Sequence, residues 1–217
     1  MEIVTSLSPN HSCKENQIDA IHSWKGFGRC YSLNHPKEIP LLSYDIEFID
    51  TLRTVESIVG KPLININSIL DFAKDDLLYI NSDIILKDLP AFKQDGITIL
   101  SRYDYNQDIS EGVLFPHGYD AFYIPKQFLH VFPPSIYALG AAWHDYWIPK
   151  WCILKGIPLY YPQGRFAFHK IHPVQYSQTE WLRIGEYFRW EFQLPKELTI
   201  PQIATKTIQE IRIACRP

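Results

Sequence analysis

The stretch Leu77-Leu78-Tyr79-Ile80-Asn81-Ser82-Asp83 decides the fold that we expect for this chain. Four consecutive apolar residues are typical of a strand that is buried on both faces, as in a parallel sheet that helices cover on each side. Three polar residues follow at once, where such a strand would end. Ligands of parallel sheets bind beyond the carboxyl ends of the strands, so this stretch predicts both a fold and the position of a site.

Strands and helices alternate on both sides of this stretch. We predict further strands at residues 2–6, 29–33, 46–49 and 96–100, and a helix at 64–74. Ser12 and Glu15 have the spacing of a capping box, which predicts the start of a helix that ends at Gly26 or Gly28. This order predicts a Rossmann-like α/β fold, with a mostly parallel central sheet and helices on both faces.

The second half of the sequence is less regular. Strands are predicted at 120–124 and 159–161, and helices at 125–131, 143–155, from Ser177 to about Trp190, and at 200–214. No internal repeat and no linker rich in Gly or Ser divides the chain. We therefore expect one domain over residues 1–217, with a core at about 1–190 and a partly helical C-terminal tail at 191–217.

Composition excludes several classes of protein. The formal net charge is -3 at pH 7 and no basic block stands out, which argues against a nucleic-acid partner. No apolar stretch is long enough to span a bilayer, and the first residues do not have the layout of a signal peptide. We expect a cytoplasmic protein, in which the four cysteines are reduced thiols. The absence of a C-x-x-C pair argues against a zinc ribbon or a thioredoxin-type motif.

Asn81 and Asp83 are the first candidates for chemistry. Residues at i and i+2 of an extended chain project to the same side, so the two side chains can face one ligand. A carboxylate and an amide oxygen suit a hard cation such as Mg²⁺ or Mn²⁺, which can bridge two phosphates. The alternative is an ordinary polar turn that closes the strand.

This stretch resembles the D-x-D region of the GT-A fold glycosyltransferases, with Asn81 in place of the first Asp. Ile3-Val4-Thr5-Ser6 resembles the first strand of that fold, whose end holds the nucleotide base and ribose, and the order of elements agrees over about residues 1–190. The resemblance implies a metal on Asp83, held by one carboxylate fewer than in the family. It also implies a donor site formed by Thr5, Ser6, Ser8, Asn81 and Ser82.

Two cations lie between the third predicted strand and the next helix, namely Arg53 and Lys61. A nucleotide diphosphate needs positive charge beside it, and Arg can bind phosphate through two nitrogens. We therefore include both residues in the predicted donor site. The alternative is that both are solvated surface charges.

The acceptor side depends on Asp120 and on the helix that begins near Trp143. Asp120 is a candidate for hydrogen bonding to sugar hydroxyls, or else a turn residue. The resemblance implies an acidic general base at the start of a helix under the acceptor, for which Asp145 is the candidate and His144 the substitute. The alternative is that the aromatic residues around them simply form core.

His169 and His172 follow the last strand that we predict. The resemblance implies that one of them returns to complete the metal or diphosphate site. The His-x-x-His spacing is also half of a zinc site, but no second pair and no H-E-x-x-H motif accompanies it. The alternative for each is a structural histidine held by hydrogen bonds.

The resulting expectation is an enzyme, a metal-dependent glycosyltransferase. It would use a nucleotide-diphosphate sugar as donor and a saccharide or other hydroxyl compound as acceptor, with inversion by Asp145. Two alternatives stay open: a non-catalytic nucleotide- or sugar-binding domain of the same fold, and a metal-dependent hydrolase that uses Asp83, Asp145 and the two histidines. The phosphate loop, the dinucleotide-binding turn and the G-x-S-x-G elbow are absent from the sequence.

Overall fold

Two β-sheets organise the chain in its computed structural model, which describes residues 1–173 and 177–217. Numbered along these residues, the strands are β1 (Glu2–Thr5), β2 (Arg29–Asn34), β3 (Glu47–Asp50), β4 (Leu77–Ile80), β5 (Ile84–Leu86), β6 (Ile97–Ile99), β7 (Arg102–Tyr105), β8 (Val113–Leu114), β9 (Ala121–Ile124), β10 (Leu159–Tyr160), β11 (Ala167–Lys170) and β12 (Cys215–Arg216). The helices are α1 (Lys14–Trp24), α2 (Glu56–Val59), α3 (Ile66–Phe72), α4 (His144–Lys155), α5 (Gln178–Glu191) and α6 (Ile200–Ala214).

The larger sheet has the strand order β12-β10-β6-β9-β4-β1-β2-β3. β1 is parallel to both β2 and β4, whereas β9 is antiparallel to β4 and β6. The predicted α/β class and the mostly parallel sheet are therefore confirmed, with one antiparallel strand inside it. The chain runs outward from β1 to β3 and then returns to the other side of β1 as β4, so the order of strands reverses between β1 and β4.

Helices cover both faces of this sheet, as predicted. Ile3 and Leu78 point to one face, where they pack in a core cluster with Ile21 and Trp24 of α1. Their neighbours in the sequence point to the opposite face and pack in a second cluster with residues of α3, α4, α5 and α6. Successive residues point to opposite faces and both faces are buried, which explains why the strands are continuous apolar runs in the sequence. No helix in the described part of the chain is both long and apolar enough to cross a membrane.

The smaller sheet was not predicted, and its strand order is β5-β11-β7-β8. β11 is antiparallel to β5 and parallel to β7, and this pairing places His169 opposite Asp104. The indole N–H of Trp24 donates to the carbonyl of Ile84 over 2.8 Å and ties α1 to this sheet. His169 does follow β10, the last strand that was predicted, but it lies within a further strand, β11, that was missed.

Of three local predictions, the structure contradicts the first, shortens the second and confirms the helix of the third. The capping box at Ser12 is wrong, because α1 begins at Lys14 and its N-cap, Cys13, makes no side-chain cap hydrogen bond. Residues 125–131 contain only one 3₁₀ turn, Lys126–Phe128, whose first amide donates to Asp76 over 2.9 Å. The predicted tail contains α6 as expected, and this helix buries apolar residues against the core while β12 extends the larger sheet.

Candidate metal centre and neighbouring carboxylates

His11 and Asp83 lie in the loops that follow two neighbouring strands, β1 and β4. Because these strands are parallel, both loops leave the sheet at the same edge. The reversal of strand order between β1 and β4 makes this edge a topological switch point, where open α/β sheets bind ligands. His11 was not singled out in the sequence, where it reads as part of a polar turn.

Three histidines converge on one oxygen of Asp83. The Nε2 atoms of His11, His169 and His172 lie 3.2, 3.4 and 2.8 Å from its Oδ2. The ligand atoms of His11, Asp83 and His172 all lie within 4.8 Å of one another. The four side chains are only 7–14% exposed. We call these four residues the histidine centre.

The other ring nitrogen of each histidine is held by an oxygen. Nδ1 lies 2.7 Å from the carbonyl of Cys13 in His11, 3.2 Å from Oδ1 of Asp104 in His169, and 3.0 Å from the carbonyl of Pro173 in His172. Histidines that bind metals almost always donate their second ring N–H to such an oxygen, which orients the ring with Nε2 toward the metal. The orientation of all three rings is therefore the one that a metal ligand needs.

The pKa values of Asp83 and His169 are shifted in opposite directions in the histidine centre. Burial alone would raise the pKa of Asp83, but hydrogen bonds from the three histidines hold that pKa well below its usual range. Burial would likewise lower the pKa of His169, yet the bonds to Asp104 and Asp83 outweigh it and raise that pKa to about 9. Without a metal, Asp83 is thus ionised and His169 carries a proton between two carboxylates.

Asn81 and Ser82 face other partners. The Asn81 amide donates to Oδ1 of Asp120, and the Ser82 hydroxyl lies 3.0 Å from the Gln17 side chain. Oδ1 of Asn81 is buried without a hydrogen-bond partner. Asn81, which stands in place of the first Asp of the D-x-D pattern, therefore contacts Asp120, while Asp83 contacts the histidines.

A second acidic group forms around Asp120 and Asp145. Asp145 lies in the first turn of α4, and its Oδ2 is 3.3 Å from the backbone nitrogen of Tyr119. The chain passes so closely over this carboxyl that a Cβ at Gly118 would lie 2.9 Å from the same oxygen. Burial, and next the charge of Asp120, raise the pKa of Asp145 to about 8. This carboxyl therefore exchanges its proton close to neutral pH.

His144 lies beside this pair. Its Nδ1 is 2.6 Å from the carbonyl of Ala141, whereas its Nε2 is buried without a partner. Burial lowers the pKa of His144, so the ring is neutral. The preceding residue, Trp143, has a φ of 73°, which is rare for a bulky side chain and is typical of backbone held in place near functional sites.

Of the remaining predicted donor residues, Ser8 contacts the histidine centre through its backbone, since the His11 amide donates to the Ser8 carbonyl over 3.3 Å. Thr5 is buried at the end of β1, and Ser6 and Ser8 follow it on the same edge. Arg53 follows β3, two strands beyond β1, and forms a 2.7 Å ion pair with Asp71. Lys61 lies 3.9 Å from Glu180 of α5. The partners of these two cations, Asp71 and Glu180, are not members of the histidine centre.

Arg102 and Asp104 belong to the site but were missed in the sequence. Arg102 donates to both oxygens of Asp104 over 2.6 and 3.0 Å, and to Oδ2 of Asp120 over 2.8 Å. The sequence Arg-Tyr-Asp-Tyr from Arg102 alternates with a period of two, and this pattern could have predicted a strand with both charged residues on one face.

Neither protein-family models nor curated proteins give a match to this sequence.

Proposed function

We propose that this chain is a metal-dependent glycosyltransferase that uses a nucleotide-diphosphate sugar as donor. The observation that carries the proposal is the convergence of three imidazole nitrogens on Oδ2 of Asp83 at the switch point of the larger sheet. The D-x-D-like stretch, which ends at Asp83 of this centre, supports the same assignment. The strand order, in which β4 returns beside β1, agrees with the resemblance on which the sequence-based expectation depends.

The donor set of the histidine centre fits a divalent metal. His11, Asp83 and His172 supply two nitrogens and one carboxylate oxygen, and His169 brings a third nitrogen to the same oxygen. Imidazole ligands favour first-row transition metals, whereas Mg²⁺ prefers oxygen ligands alone. Of the two ions expected from the sequence, Mn²⁺ therefore suits this set better than Mg²⁺, and Zn²⁺ is a further fit. A bound metal would offset the negative charge of the leaving diphosphate.

Asp145 is suited to take the proton of an acceptor hydroxyl. A general base works best when its pKa is near the working pH, and the pKa of Asp145 is raised to about 8. Asp120 is fixed next to it by Arg102 and Asn81, with its own carboxylate already engaged. We assign Asp145 as the base and Asp120 as the neighbouring charge that, after burial, raises its pKa further.

Release of nucleoside diphosphate from a panel of nucleotide sugars tests the proposal. The wild type is assayed with Mn²⁺ or Zn²⁺ and a mixture of saccharide acceptors, beside Asp145→Asn and the exposed control Asp88→Asn. Loss of the base should lower turnover by about 10²–10⁴-fold while donor binding persists. Full turnover by Asp145→Asn would show that the base lies elsewhere, and donor binding without turnover by the wild type would favour a binding domain.

A metal-dependent hydrolase is the second candidate, favoured by the nitrogen-rich ligand set. Two or three histidines with a carboxylate are typical of zinc sites that lower the pKa of a bound water. The same assay separates the two functions. A hydrolase releases free sugar without any acceptor, whereas a transferase depends on the acceptor and forms a glycosylated product.

A further inference from the structure

Arg102 lies between the histidine centre and the Asp120–Asp145 pair, and its side chain is only 17% exposed. Its Nε and one terminal nitrogen bind Asp104, and the other terminal nitrogen binds Asp120. Asp104 in turn lies 3.2 Å from Nδ1 of His169. One guanidinium thus connects Asp104, the partner of His169, to Asp120, which lies beside the proposed base.

The pairing of β7 with β11 explains this arrangement. Arg102 and Asp104 are two residues apart on β7 and therefore project to the same face. In the parallel register Ala167 lies opposite Arg102 and His169 opposite Asp104.

We propose that Arg102 is a positioning residue that couples the histidine centre to the Asp120–Asp145 pair. It holds Asp104 against His169 and Asp120 against Asn81 at the same time. The inference uses the metal-binding part of the proposed function and does not depend on the reaction or on the identity of the donor.

Only an arginine meets the geometry of this position. The planar guanidinium presents donors in a fixed fork, which allows two bonds to Asp104 and a third in another direction to Asp120. It is also stacked over the ring of Phe115, 4.2 Å from the centroid. A lysine keeps the charge but offers one point of attachment, so it is expected to satisfy one carboxylate and release the other.

Release of either carboxylate has a defined consequence. Asp104 and Asp120 are 18% and 10% exposed, and without Arg102 they are two like charges with little solvent. Asp104 would then lose the two bonds that orient its carboxylate, and its hydrogen bond to Nδ1 of His169 would no longer be fixed in direction. Outer partners of this kind contribute about 10–100-fold to metal affinity, because they fix the ring that faces the metal.

The test compares Arg102→Lys with Arg165→Lys by calorimetric titration of Zn²⁺ and Mn²⁺. Arg165 is a matched control, because it lies over the rings of Tyr103 and Phe168 of the same sheet and bonds to backbone carbonyls of residues 110 and 112. We expect Arg102→Lys to bind metal about 10-fold more weakly and Arg165→Lys to bind like the wild type. Equal affinity of Arg102→Lys and the wild type would overturn the inference.

A second variant separates positioning from general destabilisation, and it serves also if Arg102→Lys fails to fold. Asp104→Asn should weaken metal binding to a similar degree, and the double variant should be no weaker than either single one, since both act through His169. Additive losses would show independent effects and contradict the coupling. A lower melting temperature with unchanged affinity would assign Arg102 a structural role only. If the wild type itself binds neither metal, the metal centre of the proposed function fails, and this inference fails with it.

Discussion

The Nε2 atom of His172 lies 2.8 Å from Oδ2 of Asp83, although 89 residues separate them in the sequence. Asp83 follows β4 of the larger sheet, and His172 follows β11 of the smaller one. The histidine centre therefore joins the two sheets at the edge where β1 and β4 end. A metal at this point would bind only the folded chain, and it would raise the stability of both sheets together.

His11 was not identified from the sequence, but its replacement should weaken metal binding strongly. His11→Ala removes a nitrogen 3.2 Å from Asp83, and we expect a loss of more than about 100-fold, since even outer partners contribute about 10–100-fold. Calorimetric titration of Zn²⁺ and Mn²⁺ measures the change, with the exposed His130→Ala as the control. Unchanged affinity of His11→Ala would remove His11 from the centre.

The pH dependence of stability should report on Asp145. Its pKa is raised from 3.8 to about 8, so between these values the unfolded chain has lost a proton that the folded chain keeps. The unfolding free energy contributed by this group therefore falls as pH rises from about 4 to 8 and is constant above. We expect this loss to be about 1–3 kcal/mol, because the side chain is partly exposed and solvent screens its charge.

Urea unfolding of the wild type and Asp145→Asn at pH 5 and pH 8.5 measures this loss. The variant lacks the titrating group, so its stability relative to the wild type should increase with pH. Asp88→Asn, in an exposed loop, should show no such increase. A constant difference between Asp145→Asn and the wild type would contradict the raised pKa.

The hydroxyl of Tyr79 should contribute nothing to stability. It is buried and has no hydrogen-bond partner in the structure, so its loss removes an unsatisfied polar group. Tyr79→Phe should unfold at the same or a higher urea concentration than the wild type. The matched control is Tyr123→Phe, whose hydroxyl donates to Asp76 over 2.6 Å and should cost about 1.5–3 kcal/mol when lost. A loss of more than about 1 kcal/mol in Tyr79→Phe would indicate a bound water that joins Tyr79 to a polar neighbour.

Sequence patterns predicted those elements whose local signals agree with their packing. β4 was predicted with its observed bounds, because four buried apolar residues lie between polar ones. α6 was also predicted over its full length, since it has an apolar stripe and its N-cap, Thr199, forms a complete capping box. α5 begins after Ser177, as predicted, and the hydroxyl of Ser177 accepts from the Glu180 amide.

The missed features depend on partners that are distant in the sequence. Ser12 has the right spacing for a helix cap, but its hydroxyl lies 3.2 Å from Nδ1 of His172 instead. β7 and β11 are only four residues long and are strands because they pair with each other. A sequence pattern has no access to such pairings. The resemblance brought one of His169 and His172 to the site of Asp83, but it missed His11, the convergence of all three histidines and the role of Arg102.

In the proposed function, the histidine centre holds a metal that a nucleotide-diphosphate donor requires. The most direct test is the melting temperature of the wild type and Asp83→Asn with nucleoside diphosphates and nucleotide sugars, each with and without Mn²⁺ or Zn²⁺. A ligand that binds only the folded state at 100 times its Kd adds about 2.7 kcal/mol to stability. We predict that at least one nucleotide raises the melting temperature of the wild type only when metal is present, and that Asp83→Asn loses this increase. An equal increase without metal, or in Asp83→Asn, would show that nucleotide binding does not require a metal at the histidine centre.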